Sequence, residues 1–473
     1  MPIQTSEVSK TSEVWQVEFV TILIERADYV LRDADRIERD ADVLIEGERI
    51  VQIGRVAREG RNDWTVIDGR GRVIIPGFVN AHAHLYQSFL KGLRDDVPFV
   101  EWNDATLFPM ARAIHQEYRD EGNDAGGYHW GILSALEMIR GGVTCAVDMN
   151  MNMDSVFRAW RDVGMRGVSA LAVVDRWIPE VLRRDLATTK TQTLQLIRSW
   201  HNVHPRLQVV IAPSTPFLCS RELLEWSRDT AAEWGIGLQI HLSESRYEVD
   251  LIRKETGFTP IAYAHNLRLL NSKTTAVHCV HVTDQDIDLL AETQATVVHC
   301  PKSNLKLANG FAPIPKMLAR SVSVALATDG AASNDTLDML EETRLAALLH
   351  KGVAGDATVM TARHAFRMAT ENGARALGVA AGTLDPGKLA DLAIINLERP
   401  HLMPAHDILN TLVYCAKSSD VVTTIIGGEI VMRDGVIQTV DERAAMRDAA
   451  QYGIYLFERG NKLWRKERMK AEG

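Results

Sequence analysis

Cysteine is scarce in this chain and irregular in its spacing: Cys145, Cys219, Cys279, Cys300 and Cys415 are odd in number and include no C-x-x-C pair. That excludes a disulfide framework and reads as a reduced, cytoplasmic protein. The start Met1-Pro2-Ile3-Gln4 lacks the positively charged region and apolar stretch of a secretory leader. No run of about 18 apolar residues occurs, so nothing is expected to span a membrane. Positive charge is not in excess either. With 53 Lys and Arg against 62 Asp and Glu, the net charge of −9 offers no electrostatic reason for a nucleic-acid or anionic-membrane partner.

What is present is 473 residues, 46% hydrophobic and 24% charged, which suits one large soluble domain with a smaller one beside it. Residues 1–18 are polar, with no periodic pattern to bury, and read as a flexible extension. From there to residue 72, short β-type runs such as Ala41-Asp42-Val43-Leu44-Ile45 and Arg49-Ile50-Val51-Gln52-Ile53 alternate with turns. The same style returns after Gly382, in Ala390 to Ile395 and Val421 to Met432. Segments 19–72 and 382–440 are therefore expected to form one small β-sandwich domain from both chain ends. Residues 441–473 read as a charged terminal helix.

Between these, over 73–381, the pattern alternates long helical segments with short apolar strands. Strand candidates are the run ending at His82, that at Val143, then Val168 to Val174, Leu207 to Ala212, Leu238 to His241, Thr274 to His278, Thr296 to His299 and Val322 to Thr328. Eight strands with helix-length connections predict an α/β fold, a (β/α)8 TIM-like barrel. In such a barrel functional groups come from the C-terminal strand ends, and five candidates end in ligand-type residues: His82 and His84, His241, His278, His299 and Asp329. His82 and His84, two apart, can present two imidazoles to one point. Three imidazoles and a carboxylate with an open position suit a catalytic divalent cation such as zinc.

These residues resemble the metal-dependent amidohydrolase superfamily, and within it the branch of S-adenosylhomocysteine/methylthioadenosine deaminases and atrazine or triazine chlorohydrolases. The resemblance runs through Ile45-Glu46-Gly47, Pro76-Gly77-Phe78-Val79-Asn80-Ala81-His82-Ala83-His84, His241-Leu242-Ser243-Glu244, His278-Cys279-Val280-His281, Ser303-Asn304-Leu305-Lys306-Leu307 and Thr328-Asp329-Gly330-Ala331-Ala332-Ser333-Asn334. It implies His82, His84, His241 and Asp329 as metal ligands, and Glu244 and His278 as proton-handling and oxyanion-stabilising residues. Asp329 would also take a proton from the attacking water. Binuclear members bridge their ions with a lysine or glutamate on the fourth strand. Leu207 to Ala212 holds neither, so one divalent ion per chain is expected, zinc first, with iron, manganese and cobalt as alternatives.

Tyr86, Glu101, Trp102, Ser214, His299, Asn304 and Ser333 are the candidate substrate-binding residues; a small molecule is the expected partner and a homo-oligomer the expected assembly. In the resemblance Glu101 corresponds to a glutamate that holds ribose hydroxyls. Ser214 stands where the nucleoside deaminases carry a pocket histidine, and Leu171 where they carry an arginine, which argues against adenosine-type substrates. Gly330 stands where dechlorinating relatives tend to carry asparagine. The expected activity is hydrolytic deamination of a purine, pterin or triazine-like heterocycle. Amide, urea or carbamate hydrolysis and dechlorination are the alternatives, and an inactive scaffold the remote one.

Overall fold

The computed structural model describes residues 20–472 apart from 58, 59, 61, 62, 95, 98 and 151–153. The extension expected over 1–18 lies outside the described residues. Eight parallel strands, Phe78–Asn80, Val143–Asn150, Arg166–Val173, Leu207–Pro213, Leu238–Leu242, Thr274–His278, Thr296–His299 and Val324–Leu326, pair in chain order. The circle closes where the Ala81 amide donates to the Leu326 carbonyl at 3.2 Å. Beside it Asn80 Nδ2 donates to Thr328 Oγ1 at 2.7 Å, and the Thr328 amide donates back to Asn80 Oδ1 at 3.1 Å. This is the barrel the alternating pattern predicts. Strand Val143–Asn150 is buried along its whole length, as a parallel strand covered on both faces must be.

The helices between the strands start and stop on local signals. Ser220, Ser245 and Thr283 each accept an amide hydrogen bond from the first turn of the helix they precede, and Gly235 and Gly257 end two helices in the left-handed conformation.

A second, nine-stranded mixed sheet joins both chain ends, with Arg72–Pro76 antiparallel to Leu392–Asn396 at its centre. Its hydrogen bonding is that of one continuous sheet, curled around a core that includes Ile24, Val43, Ile45, Ile74, Leu392 and Ile425. The curl brings the Gly427-Gly428 turn onto the Gly47 turn so closely that a Cβ on Gly428 would stand 1.9 Å from the Gly47 carbonyl oxygen. Because Arg72–Pro76 belongs to this sheet, the expected boundary after residue 72 falls inside it and the chain crosses to the barrel at Gly77. Only glycine fits there, since a Cβ would lie 2.1 Å from Thr144 Oγ1. The first barrel strand is consequently three residues long, and His82 and His84 follow just beyond its end.

The C-terminal helix, Glu442–Glu472, packs on helices Phe108–His115 and Ala125–Arg140 and reaches the loop after the first strand, where Gly453 lies against Phe89.

Candidate active site

The strand ends bring five side chains together. His82, His84, His241, His278 and Asp329 follow or end four different strands, and their ligand atoms fall into two groups that share His82, each within 4.8 Å. His241 Nε2 is 3.2 Å from His82 Nε2, and Asp329 Oδ1 is 3.5 Å from His82 Nε2 and 3.6 Å from His84 Nε2. Atoms that share one ion at about 2.0–2.1 Å stand about 3.3 Å apart, so these separations suit a common cation. His278 and Asp329 reach the axis through left-handed backbone, at φ +71° and +64°, strain that non-glycine residues carry at functional turns.

The outer face of each ring decides what the inner face offers. His84 Nδ1 donates to the Met149 carbonyl at 2.8 Å and His241 Nδ1 to the Ser214 carbonyl at 2.7 Å. His82 Nδ1 donates to Gln239 Oε1 at 2.8 Å, an amide oriented by its own Nε2 donating to the Ala81 carbonyl. With Nδ1 carrying the proton, each neutral ring turns a bare Nε2 lone pair inward. His82 and His241 therefore face each other lone pair to lone pair, an arrangement that is repulsive until a cation lies between them.

Burial, and next the His82 imidazole, push His84 down to about 4, and burial with three neighbouring imidazoles pushes His241 well below the usual value. For Asp329 burial acts to raise the carboxyl, but the surrounding imidazoles outweigh it and hold it well below the usual carboxylate range. Ser303 Oγ donates to Asp329 Oδ2 at 2.6 Å and the Gly330 amide to Oδ1 at 2.7 Å. The set is thus three deprotonated nitrogens and an ionised carboxylate, and it fits a divalent cation.

Glu244 and His278 stand at its edge. His278 Nε2 lies 3.7 Å from Glu244 Oε2 and 3.9 Å from Asp329 Oδ2, while its Nδ1 is 3.0 Å from Asn304 Oδ1. Glu244 Oε1 accepts from Asn309 Nδ2 at 2.9 Å.

The substrate candidates divide. Tyr86 sits with its ring 6.3 Å from that of His84, and burial pushes its hydroxyl up to about 12. Asn304 is used on His278, Ser333 Oγ lies 3.0 Å from Ser303 Oγ, and Ser214 contributes its backbone carbonyl to His241. His299 is not brought to the cluster: its Nε2 is 3.1 Å from the Nε2 of buried His350. Its own Nδ1 has no partner among the described residues, so a proton on Nε2 can bond the pair, unlike His82 and His241. Trp102 is buried in the main core, and Glu101 is 56% exposed, 3.8 Å from Arg94 in a surface cleft that the C-terminal helix lines.

Gln87 was not singled out by sequence reasoning. It is buried against Gly330, where a Cβ would stand 1.9 Å from Gln87 Oε1, and among the described residues that oxygen has no hydrogen-bond partner. Its place three residues after His84 was the available signal. Asp148 was also missed; its Oδ1 accepts the Leu85 amide at 2.9 Å and anchors the loop that follows His84.

A barrel with imidazoles and a carboxylate converging at its C-terminal face defines a metal-dependent hydrolase. The amidohydrolase family model matches residues 73–431, and the chain belongs to that family. Among its relatives, a 5'-deoxyadenosine deaminase of Methanocaldococcus jannaschii is 38% identical over 412 residues, covering 87% of this chain and 95% of that protein. A 5-methylthioadenosine/S-adenosylhomocysteine deaminase of Moorella thermoacetica is 42% identical over 382 residues, covering 80% and 86%. The crystal structure of an adenosine deaminase from Xanthomonas campestris with bound zinc superimposes with a TM-score of 0.86 at 30% identity, covering 92% of this chain and 98% of that one. Among the described residues no helix is long and apolar enough to cross a membrane.

Proposed function

We propose that this protein removes an amino group hydrolytically from an aminated nitrogen heterocycle, at a single divalent ion held by His82, His84, His241 and Asp329. The observation that carries the reading is the inward set of bare Nε2 atoms 3.2 Å apart beside an ionised carboxylate. A divalent ion there, zinc first, supplies Lewis-acid chemistry by lowering the pKa of water toward about 7. Asp329, with a second oxygen turned to Ser303, takes the proton of the attacking water. Glu244, tethered by Asn309 and close to His278, passes a proton to the ring nitrogen or leaving amine. His278 would donate to the oxygen from Nε2 as charge builds there, with the Asn304 amide turned so that its Nδ2 donates to Nδ1. Tyr86, its ring 6.3 Å from that of His84, is the aromatic side chain that would meet the substrate ring.

The deaminase relatives support an adenosine-type amine as the reacting group. Leu171, fully buried in the barrel wall, supplies no polar side chain for a sugar, which favours a heterocycle held by its ring edges. All five cysteines are free, which supports the cytoplasmic setting. Ammonia release is to be measured with zinc-loaded protein over 5'-deoxyadenosine, methylthioadenosine, adenosine, aminotriazines, amides and ureas, beside elemental analysis. Ammonia from an aminated ring and about one equivalent of metal are expected. Turnover confined to amides or ureas, or two equivalents of metal, overturns the reading.

A further inference from the structure

Glu248 lies in the first turn of helix Arg246–Thr256 and is 2% exposed. Its Oε1 accepts the Ser243 amide at 2.9 Å and its Oε2 accepts the Glu244 amide at 2.8 Å. Ser245 caps the same helix, its Oγ accepting the Glu248 amide at 3.2 Å. Ser243 itself is in the left-handed region at φ +55°, a conformation that a serine does not favour unaided. One buried carboxylate thus closes a strained turn, and the residue leaving that turn is Glu244.

Burying a carboxylate away from water is unfavourable, and an apolar side chain would fill this helix position without that cost. What an apolar side chain cannot do is accept two adjacent amide protons. Glutamine cannot do so either, since one end of its amide is itself a donor.

We infer that Glu248 is a positioning residue for the proton-transfer step: by holding both amides of the Ser243-Glu244 turn it aims the Glu244 carboxylate at His278 and the substrate. The inference rests on the reading of Glu244 as proton carrier. Its consequence is that Glu248 acts on turnover through Glu244 alone, without touching substrate or metal.

The test is a double-mutant cycle of Glu248→Gln and Glu244→Gln in zinc-loaded protein, with ammonia release from 5'-deoxyadenosine as the readout. Glu248→Gln should lower kcat about tenfold or more, with KM within about twofold and metal content unchanged. In the Glu244→Gln background the same substitution should cost nothing further. An unchanged kcat, or an equal loss in both backgrounds, overturns the proposal. If Glu248→Gln does not fold, Glu248→Asp, whose shorter stem withdraws both acceptors from the two amides, takes its place in the cycle. If the wild type does not turn over 5'-deoxyadenosine or any other member of the panel, the deaminase reading has failed by itself. Hydrogen exchange then decides: Glu248→Gln should speed exchange in segment 242–246 about tenfold and leave Thr274–His278 unchanged, and equal exchange in both proteins overturns the inference.

Discussion

The two ends of the barrel each bury charge, and they differ in how the charge is balanced. At the N-terminal end Arg166, 4% exposed, meets Asp391 of the second sheet through Nε at 2.7 Å and Nη2 at 3.1 Å. Arg166 Nη1 also donates to the Pro205 carbonyl at 3.3 Å, and the Gly427 amide donates to Asp391 Oδ1 at 2.7 Å. Donors and acceptors there match within the protein. At the C-terminal end the outer nitrogens of the ligand histidines are equally well satisfied, but the inner ones face one another and a carboxylate with no proton to share. Equal burial therefore serves opposite ends. The complete network locks two sheets together, and the incomplete one is completed by a cation.

That contrast is open to being broken. Asp329→Ala should abolish metal binding and lower kcat on the order of 10³-fold or more, with little loss of folding stability, checked by elemental analysis, turnover and denaturant melts. Stability lost in proportion to activity would make the two ends alike. Asp391→Ala should do the reverse, costing about 3–5 kcal/mol of stability because it strands a buried guanidinium. Its kcat at low temperature should stay near the wild-type value.

Glu244→Gln should retain metal and lose on the order of 10²-fold in kcat, since it removes a proton carrier and leaves the ligands alone. A fully active variant removes Glu244 from the chemistry.

His350 extends the comparison to a buried base outside both networks. Burial pushes it down to about 4 from its ordinary 6.5. Between those values the unfolded chain binds a proton that the folded chain refuses, so the stability involved is whole above pH 6.5 and is lost as pH falls toward 4. His350→Gln should flatten the fall of melting temperature between about pH 7 and 5, and an unchanged slope would assign the acid sensitivity to other groups. The smallest effect is expected of Glu101→Gln, less than about twofold in kcat/KM, given its exposed place beside Arg94. A larger change, differing between two substrates, would bring Glu101 to the substrate after all.

Adjacent residues 101 and 102 show where reading by sequence stops. Neighbours on a helix point about 100° apart, and here Trp102 enters the core while Glu101 faces outward. The strands themselves were legible because runs such as Val143-Thr144-Cys145-Ala146-Val147 are buried on both faces and are therefore mostly apolar. Ligand-type residues at strand ends were legible for a related reason: the parallel arrangement places every C-terminal end on one face. Convergence itself was not legible for His299, whose ring turns to His350 although it stands at a strand end like the others.

The chain by itself determined the alternation of strand and helix, the identity of the candidate ligands and the order in which the barrel presents them, all of which are written in local pattern and side-chain chemistry. Tertiary structure alone decided which nitrogen of each histidine faces inward, because that depends on the Met149 and Ser214 carbonyls and on Gln239, and a backbone carbonyl carries no residue identity. It also decided the pairing of Arg166 with Asp391, 225 residues apart, and the closure of the Ser243-Glu244 turn by Glu248. Such contacts are made by distance in space and by hydrogen-bond direction, and neither is expressed until the sheets have closed.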